Sequence, residues 1–306
     1  MLRQFFIALS RNKIVRRWAE SSRLGLRMSS RFVAGTTEEQ GIAATHTVNE
    51  LGLSVTLDHL GENVTNADEA RASAKSYHQM LDAIGTHALD ANVSCKLTHL
   101  GFDVDAALCK ELVTSLIDHA ARVHSFVRVD MEGSPYTQRT LDLVKELHRG
   151  NGIGDAVGTV IQSYLRRSEA DVEQLCAEKT RIRLVKGAYK EPPDIAFPKK
   201  ADVDASFVKL MKIMLKSGVY HAIATHDERM IADTIAFADR EKIPPDAFEF
   251  QMLYGIRRDL QEQLVREGWR MRVYIPFGTE WYPYFMRRLA ERPANVWFIA
   301  RNMLRK

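Results

Sequence analysis

From about residue 50 onward, eight short apolar runs rich in β-branched residues alternate with longer polar segments of helical period. Most of the runs end in Gly, Asp or another turn-forming residue, as strands do. They are LSVTLDHLG (53–61), NVSCKLTHLG (92–101), FVRVDMEG (126–133), VGTVIQSYL (157–165), RIRLVKGAY (181–189), HAIATHD (221–227), FEFQMLYG (248–255) and MRVYIPFG (271–278). Eight consecutive strand–helix units predict an α/β protein, a closed parallel (β/α)8 TIM barrel.

An open doubly wound sheet is the alternative fold. Such sheets usually have fewer strands and carry a glycine-rich first turn that binds a nucleotide. No G-x-G-x-x-G follows any of the eight runs, so the barrel is favoured. Since a barrel takes about 250 residues, we predict an N-terminal helical extension over 1–48 and a barrel over 49–306.

The charge of the chain is concentrated at its N-terminus. Residues 1–31 carry a net charge of +7, whereas the whole chain carries +4, which leaves −3 for the remainder. A basic nucleic-acid groove across the fold is therefore not indicated. The terminus is also amphipathic, which suits either an anionic membrane surface or a helix packed on its own domain or a neighbouring subunit. No stretch is long enough for a membrane span. Three scattered cysteines indicate a reduced compartment, so we expect a cytoplasmic protein, with peripheral contact to the inner membrane face as an option.

Polar residues cluster where the predicted strands end, and in a barrel these ends converge on one mouth. They are Lys96, Thr98, His99, Asp130, Glu132, Gln162, Tyr164, Arg183, Lys186, Tyr189, Thr225, His226, Asp227 and Tyr274. Arg287 and Arg288 follow on a predicted helix flanked by aromatic residues. Arginine forks bind carboxylate or phosphate, so this pair is either an anion clamp or a surface pair bridged to Glu280 or Glu291. The aromatic neighbours favour the clamp.

Other chemistries are weakly supported. No tight group of metal ligands and no nucleophile motif such as G-x-S-x-G occurs in the sequence. Asp130 and Glu132 lie two residues apart on one strand and so share a face. They suit acid–base work or the neutralisation of nearby cations. The residues alone thus predict a barrel enzyme with a cationic mouth that binds an anionic ligand.

Four stretches resemble the proline dehydrogenase family, including the dehydrogenase domain of bifunctional proline-utilisation enzymes. They are RLVKGAY (183–189), IATHD (223–227), FEFQMLYGIR (248–257) and RVYIPFGTEWYPYFMRRLAERPAN (272–295), in the family's order. The resemblance runs from about residue 30 to the C-terminus. It implies a distorted barrel whose last helix lies over the C-terminal ends of the strands. At 306 residues we expect a monofunctional enzyme without the aldehyde dehydrogenase and DNA-binding domains of larger relatives.

The resemblance also implies roles for individual residues. Asp130 and Arg183 would be catalytic, with Arg183 beside the flavin N5, and Glu62 would gate the pocket through an arginine of the last helix. The substrate contacts would be Lys96, Tyr189, Leu253, Tyr274, Tyr284, Arg287 and Arg288. The cofactor contacts would be Met131, Gln162, Arg183, Lys186, Gly187, Ala188, Thr225 and His226, with no metal.

The implied reaction is the FAD-dependent oxidation of L-proline to 1-pyrroline-5-carboxylate by hydride transfer to flavin N5. Electrons would pass to a membrane quinone, and a separate pyrroline-5-carboxylate dehydrogenase would take the product. A rival substrate is hydroxyproline or an N-substituted amino acid, although Tyr274 and Tyr284 leave little room for an added hydroxyl. A catalytically idle scaffold barrel is the alternative from another class. The intact cationic set of Lys96, Arg183 and the arginine pair argues against it.

Overall fold

The computed structural model describes residues 13–22, 25, 29–61, 64–150 and 154–291. Eight strands pair in chain order, all parallel, and β8 closes on β1 to form a barrel. The strands are β1 (Ser54–His59), β2 (Ala91–Cys95), β3 (Val127–Val129), β4 (Val157–Gln162), β5 (Arg181–Val185), β6 (His221–Ala224), β7 (Phe248–Leu253) and β8 (Met271–Phe277). Each coincides with one predicted run to within a residue at its start, which confirms the predicted TIM barrel.

Among the described residues, two helices precede the barrel and one follows each strand. They are α1 (Lys13–Ser21), α2 (Glu38–Asn49), α3 (Ala67–Thr86), α4 (Ala106–Arg122), α5 (Ser134–Gly150), α6 (Ser168–Ala177), α7 (Lys200–Lys216), α8 (Glu228–Glu241), α9 (Arg258–Arg266) and α10 (Trp281–Glu291). Several start at a side chain that accepts hydrogen bonds from the first turn, namely Asn66, Asp105 and Asp227. The predicted boundary at residue 48 stays a prediction; it falls within α2, which packs on the barrel, since a Cβ on Gly41 would lie 2.9 Å from the Phe277 ring.

The main apolar core lies between the barrel and its surrounding helices, and the barrel interior is polar. On β7, Phe248, Phe250 and Met252 join the apolar core, whereas the alternate residues Glu249 and Gln251 are buried inside the barrel. Polar side chains from the other strands fill the same interior: Thr56, Asp58, Asn92, Ser94, Arg128, Arg183 and Arg272. Most TIM barrels fill this space with branched aliphatic residues. Here a hydrogen-bonded network runs through the interior to the mouth.

The last helix, α10, belongs to a second apolar cluster. Trp281, Tyr284 and Phe285 pack there with Leu60, which follows β1, and Leu253, which ends β7. Because both strand contacts come from C-terminal ends, α10 lies over the mouth of the barrel. The predicted placement of the last helix is confirmed.

Helix α1 packs against α10. Val15 and Ala19 pack on the same cluster, and the Arg16 guanidinium donates to Glu280 just before α10. Glu280, considered above as a partner for the Arg287/Arg288 pair, is therefore engaged by Arg16. The described part of the N-terminal extension thus packs on its own domain, while residues 1–12 lie outside the description. In the portion the structure describes, no helix has the length and apolarity needed to cross a membrane.

Candidate active site

Arg183 lies at the centre of the barrel mouth. It extends from β5 across the interior and is only 4% exposed. Its Nε donates to Gln251 Oε1 at 2.5 Å, and its Nη1 donates to Asp130 Oδ1 at 2.7 Å and to Ser94 Oγ at 3.3 Å. Among the described residues, Nη2 has one contact, to Thr56 Oγ1 at 3.5 Å, which is beyond the usual hydrogen-bond range. The hydrogens on Nη2 are therefore those best placed to meet a bound group.

Asp130 joins three of the predicted residues into one unit. Its Oδ1 accepts from Ser94 Oγ and from Arg183, each at 2.7 Å, and its Oδ2 accepts from the Tyr274 hydroxyl at 2.8 Å. The guanidinium carbon of Arg183 also lies 5.1 Å from the centre of the Tyr274 ring. A carboxylate with three donors is suited to orienting its partners. Burial, together with Asp130, raises the pKa of Tyr274 well above its ordinary value, so this phenol is a neutral donor.

Lys96 stands beside this unit at the end of β2. Its Nζ lies 3.5 Å from Asp58 Oδ1, and the two side chains are 13% and 2% exposed. Glu132, the second predicted carboxylate, accepts instead from the Thr98 hydroxyl and backbone N–H. The two carboxylates thus accept from different donors, and of the two it is Asp130 that bonds Arg183.

Gln162, a predicted cofactor contact at the end of β4, shows what the site could hold. Its Nε2 donates to the backbone carbonyls of Met131 and Glu132, at 3.3 and 3.4 Å. Its Oε1 is buried and has no hydrogen-bond partner among the described residues. A buried acceptor without a donor is costly. A flavin ring, which presents an N–H edge, would supply that donor, so these residues fit the predicted group.

Gly187, after β5, has a backbone that only glycine adopts readily. Its φ is +110°, and a Cβ there would lie 2.2 Å from the Tyr164 ring. Glycine is therefore required for two reasons: the positive φ, and the close approach of the backbone to the Tyr164 ring. The following residues, Ala188 and Tyr189, are exposed, and Glu191 ties this segment to α5 by accepting from the Ser134 backbone N–H and hydroxyl.

The variant Gly187→Ala should lose about 2–4 kcal/mol of unfolding free energy, because it adds backbone strain and displaces the Tyr164 ring. Gly218→Ala is the matched control: Gly218 also has a positive φ, +72°, but a Cβ there would meet nothing within 4 Å. That control should lose only about 1 kcal/mol. Urea unfolding measures both, and equal losses would contradict the close contact with Tyr164.

Lys186 has two carboxylate partners. Its Nζ donates to Asp204 on α7 at 2.6 Å and to Asp227 at 2.9 Å. Burial would lower the pKa of Lys186, but the hydrogen bonds to these carboxylates more than offset it and raise that pKa. Two carboxylates therefore hold Lys186, a predicted cofactor contact, in its charged form.

Thr225 and His226 come directly after β6. His226 Nε2 accepts from the Leu253 backbone N–H at 2.9 Å, so the neutral ring carries its hydrogen on Nδ1. Thr225 Oγ1 accepts from the Asp227 backbone N–H at 3.1 Å. The contact with His226 joins the end of β6 to the end of β7 and positions Leu253.

The remaining predicted residues lie in or near α10, in the segment after β5, or outside the described residues. Tyr284, on α10, and Leu253 lie together in the apolar cluster between α10 and the strand ends. Tyr189, in contrast, is 42% exposed. Arg287 and Arg288 lie within α10, but their side chains, like the predicted gate Glu62, fall outside the described residues. No group of three metal ligands occurs among the residues that the structure describes.

Two side chains that hold Arg183, Ser94 and Gln251, are not among the predicted site residues. A signal was present in the sequence for Gln251. In FEFQML (248–253) polar residues alternate with apolar ones, and in a barrel strand the alternate face points inward.

Known proteins resemble this chain over most of its length. The family model "Proline dehydrogenase" matches residues 42–301. "Proline dehydrogenase 1" of Bacillus subtilis (strain 168) is 41% identical over 308 residues and is covered in full, as is this chain. "Proline dehydrogenase" of Deinococcus radiodurans is 41% identical over 281 residues, covering 91% of this chain and 90% of the relative.

Among solved structures, proline utilization A (PutA) of Bdellovibrio bacteriovorus, inactivated by N-propargylglycine, superposes with a TM-score of 0.83 at 26% identity. The match covers 95% of this chain and 36% of that protein. The chain therefore belongs to the proline dehydrogenase family. The full-length relatives confirm the predicted enzyme class, an oxidoreductase that acts on proline.

Proposed function

We propose that the chain is a monofunctional FAD-dependent enzyme that oxidises L-proline to 1-pyrroline-5-carboxylate. The observation that carries the proposal is the unit formed by Arg183, Asp130 and Tyr274 at the strand ends, beneath the helix that bears Arg287 and Arg288. It places a fixed cation, a carboxylate and an aromatic wall in one buried site, as an amino acid with an apolar ring requires.

The cofactor contacts follow from the same arrangement. Gln162, whose buried Oε1 has no partner among the described residues, and the glycine backbone at 187 support a flat ring placed against the ends of β4 and β5. The further proposed contacts to the cofactor are Met131, Lys186, Ala188, Thr225 and His226. When bound, FAD would supply the hydride acceptor, its N5 atom.

The residues of the chain would bind and orient the substrate. Lys96, together with Arg287 and Arg288, would bind the proline carboxylate, since charge-assisted hydrogen bonds are the strongest available. The apolar ring of proline would be enclosed by Tyr274, Tyr284, Leu253 and Tyr189. The substrate amine must be neutral, because a protonated nitrogen has no lone pair to assist hydride loss from the neighbouring carbon.

Arg183 would hold positive charge where negative charge develops during the reaction, and Asp130 would keep it and Tyr274 in place. Glu62 is proposed to gate the pocket. We further propose that electrons pass to a quinone and that the N-terminus contacts the inner face of the membrane from the cytoplasm. The product would be taken by a separate dehydrogenase.

The deciding experiment is an absorption spectrum of the purified protein before and after L-proline is added without oxygen. We expect an oxidised flavin spectrum that bleaches with proline and bleaches more slowly with 4-hydroxyproline, because the Tyr274 ring lies against the site. Denaturation should then release FAD, which chromatography identifies.

D-Proline serves as the control, since it has the same atoms but cannot place its carboxylate and ring together in the same way. A flavin that stays oxidised with L-proline, or that reacts faster with 4-hydroxyproline, would overturn the substrate. A protein that takes up no FAD would overturn the cofactor and favour the idle scaffold.

A further inference from the structure

We propose that Gln251 is a positioning residue for Arg183, and that Glu249 sets the direction of the Gln251 amide. The two residues lie on the inward face of β7, at 3% and 1% exposure. Gln251 Oε1 accepts from Arg183 Nε at 2.5 Å, and Gln251 Nε2 donates to Glu249 Oε1. A line of hydrogen bonds therefore leads from the interior of the barrel to the guanidinium at its mouth.

The direction of the amide is determined by its neighbours. A glutamine side chain can turn its donor and acceptor ends around, and only the surrounding hydrogen bonds decide between them. Glu249 can only accept while it is ionised, and Arg272 Nε donates to both of its oxygens at 2.9 Å. Burial would raise the pKa of Glu249, but the charge and hydrogen bonds of Arg272 more than offset it and lower that pKa.

If the Gln251 amide were reversed while Glu249 is ionised, Gln251 Oε1 would face the Glu249 carboxylate oxygen. Gln251 Nε2–H would then face the Arg183 Nε–H. The acceptor end of Gln251 must therefore face Arg183. The exposure of all three side chains is 4% or less, so water cannot readily replace either contact.

The hydrogen bond to Gln251 determines the orientation of the Arg183 guanidinium plane. Asp130 and Ser94 both contact Nη1, so these two bonds alone hold the group at one corner. The bond from Nε to Gln251 adds a second fixed point, and two points determine how a planar fork is directed. That leaves Nη2, which among the described residues has one long contact, to Thr56, as the guanidinium nitrogen with the most hydrogen-bonding capacity for a bound group.

The inference rests on the proposed function, and the first test is independent of it. In flavin-free protein labelled with 15N-arginine, the Arg183 Nε–H signal is assigned by its loss in Arg183→Lys. We expect this hydrogen to exchange slowly with solvent in the wild type and at least about tenfold faster in Gln251→Met, which keeps the length of the side chain without its acceptor. Unchanged exchange in Gln251→Met would overturn the positioning role, whether or not the protein oxidises proline.

The second test measures the effect on chemistry. Gln251→Met should lower the limiting rate of flavin reduction by proline about tenfold to a hundredfold, with proline affinity changed less than about twofold. The midpoint potential of the bound flavin should become more negative, because a misdirected cation stabilises the reduced form less. A wild-type rate and potential in a folded variant would overturn the proposal. A wild type that proline does not reduce would overturn the proposed function alone, since the exchange measurement still decides the positioning role.

A rescue variant separates positioning from stability. Glu249→Gln with Gln251→Glu exchanges the two groups, conserves the total charge and again presents an acceptor to Arg183 Nε. We expect its reduction rate to recover to within about fivefold of wild type, even though its melting temperature falls because Arg272 loses its carboxylate. A double variant no faster than Gln251→Met would show that the acceptor at position 251 is not what matters.

Discussion

Replacement of Arg183 by Met is expected to slow flavin reduction by proline about a thousandfold, the scale found when a fixed donor to developing charge is removed. Arg183 is the residue on which Asp130, Ser94 and Gln251 converge, and no other described cation contacts Asp130. Stopped-flow measurement of the reduction rate under anaerobic conditions tests the effect. The FAD content should remain substantial, because the other proposed cofactor contacts are untouched.

Arg181→Met is the matched control for this variant. Arg181 lies two residues earlier on the same strand, and its guanidinium carbon lies over the Phe126 and Tyr220 rings, at 5.4 and 5.8 Å, away from the mouth. Its variant should reduce at close to the wild-type rate. Equal slowing in both variants, or a wild-type rate in Arg183→Met, would refute the assigned role of Arg183.

The second large effect is on stability. Arg272→Met should lower the free energy of unfolding by about 3–5 kcal/mol at neutral pH, because it leaves the buried Glu249 carboxylate without its partner. Arg272 also donates to the Val55 carbonyl at 2.7 Å, so that acceptor loses its donor too. Urea unfolding measures the loss. Arg266→Met is the control, since its 3.7 Å contact with Glu262 is exposed and should contribute less than about 0.5 kcal/mol.

The same pair predicts a pH dependence whose sign follows from the depressed pKa of Glu249 in the folded wild type. Its contribution to stability is complete above the pKa of the unfolded chain, about 4.3, and is lost as pH falls through the folded pKa. In Arg272→Met the carboxyl is buried without a cation, which raises its pKa, so it protonates as the pH falls. The difference between wild type and variant should therefore be larger at pH 8 than at pH 5. A difference that grows towards acid would contradict the ion pair.

Much of the site could be predicted because it lies on strand ends. Arg183, Asp130 and Tyr274 were identified from their positions in three apolar runs, and the structure brings these three into one hydrogen-bonded unit. The roles assigned to them remain proposals. Gln251 was missed because the alternation in its strand tells which face it occupies but not which side chain it meets.

The sequence alone is enough to predict the eight strand–helix units, since apolar periodicity and turn residues are local along the chain. It also determined that their polar ends share one mouth, because parallel strands in a barrel all end on the same side. The partners are set only in the folded barrel: Gln251 and Ser94 for Arg183, Asp227 for Lys186, and Arg16 for Glu280, 264 residues apart. The physical reason is that these contacts cross between elements that are not neighbours in the chain. Their distances depend on barrel register and helix placement, which local patterns do not encode.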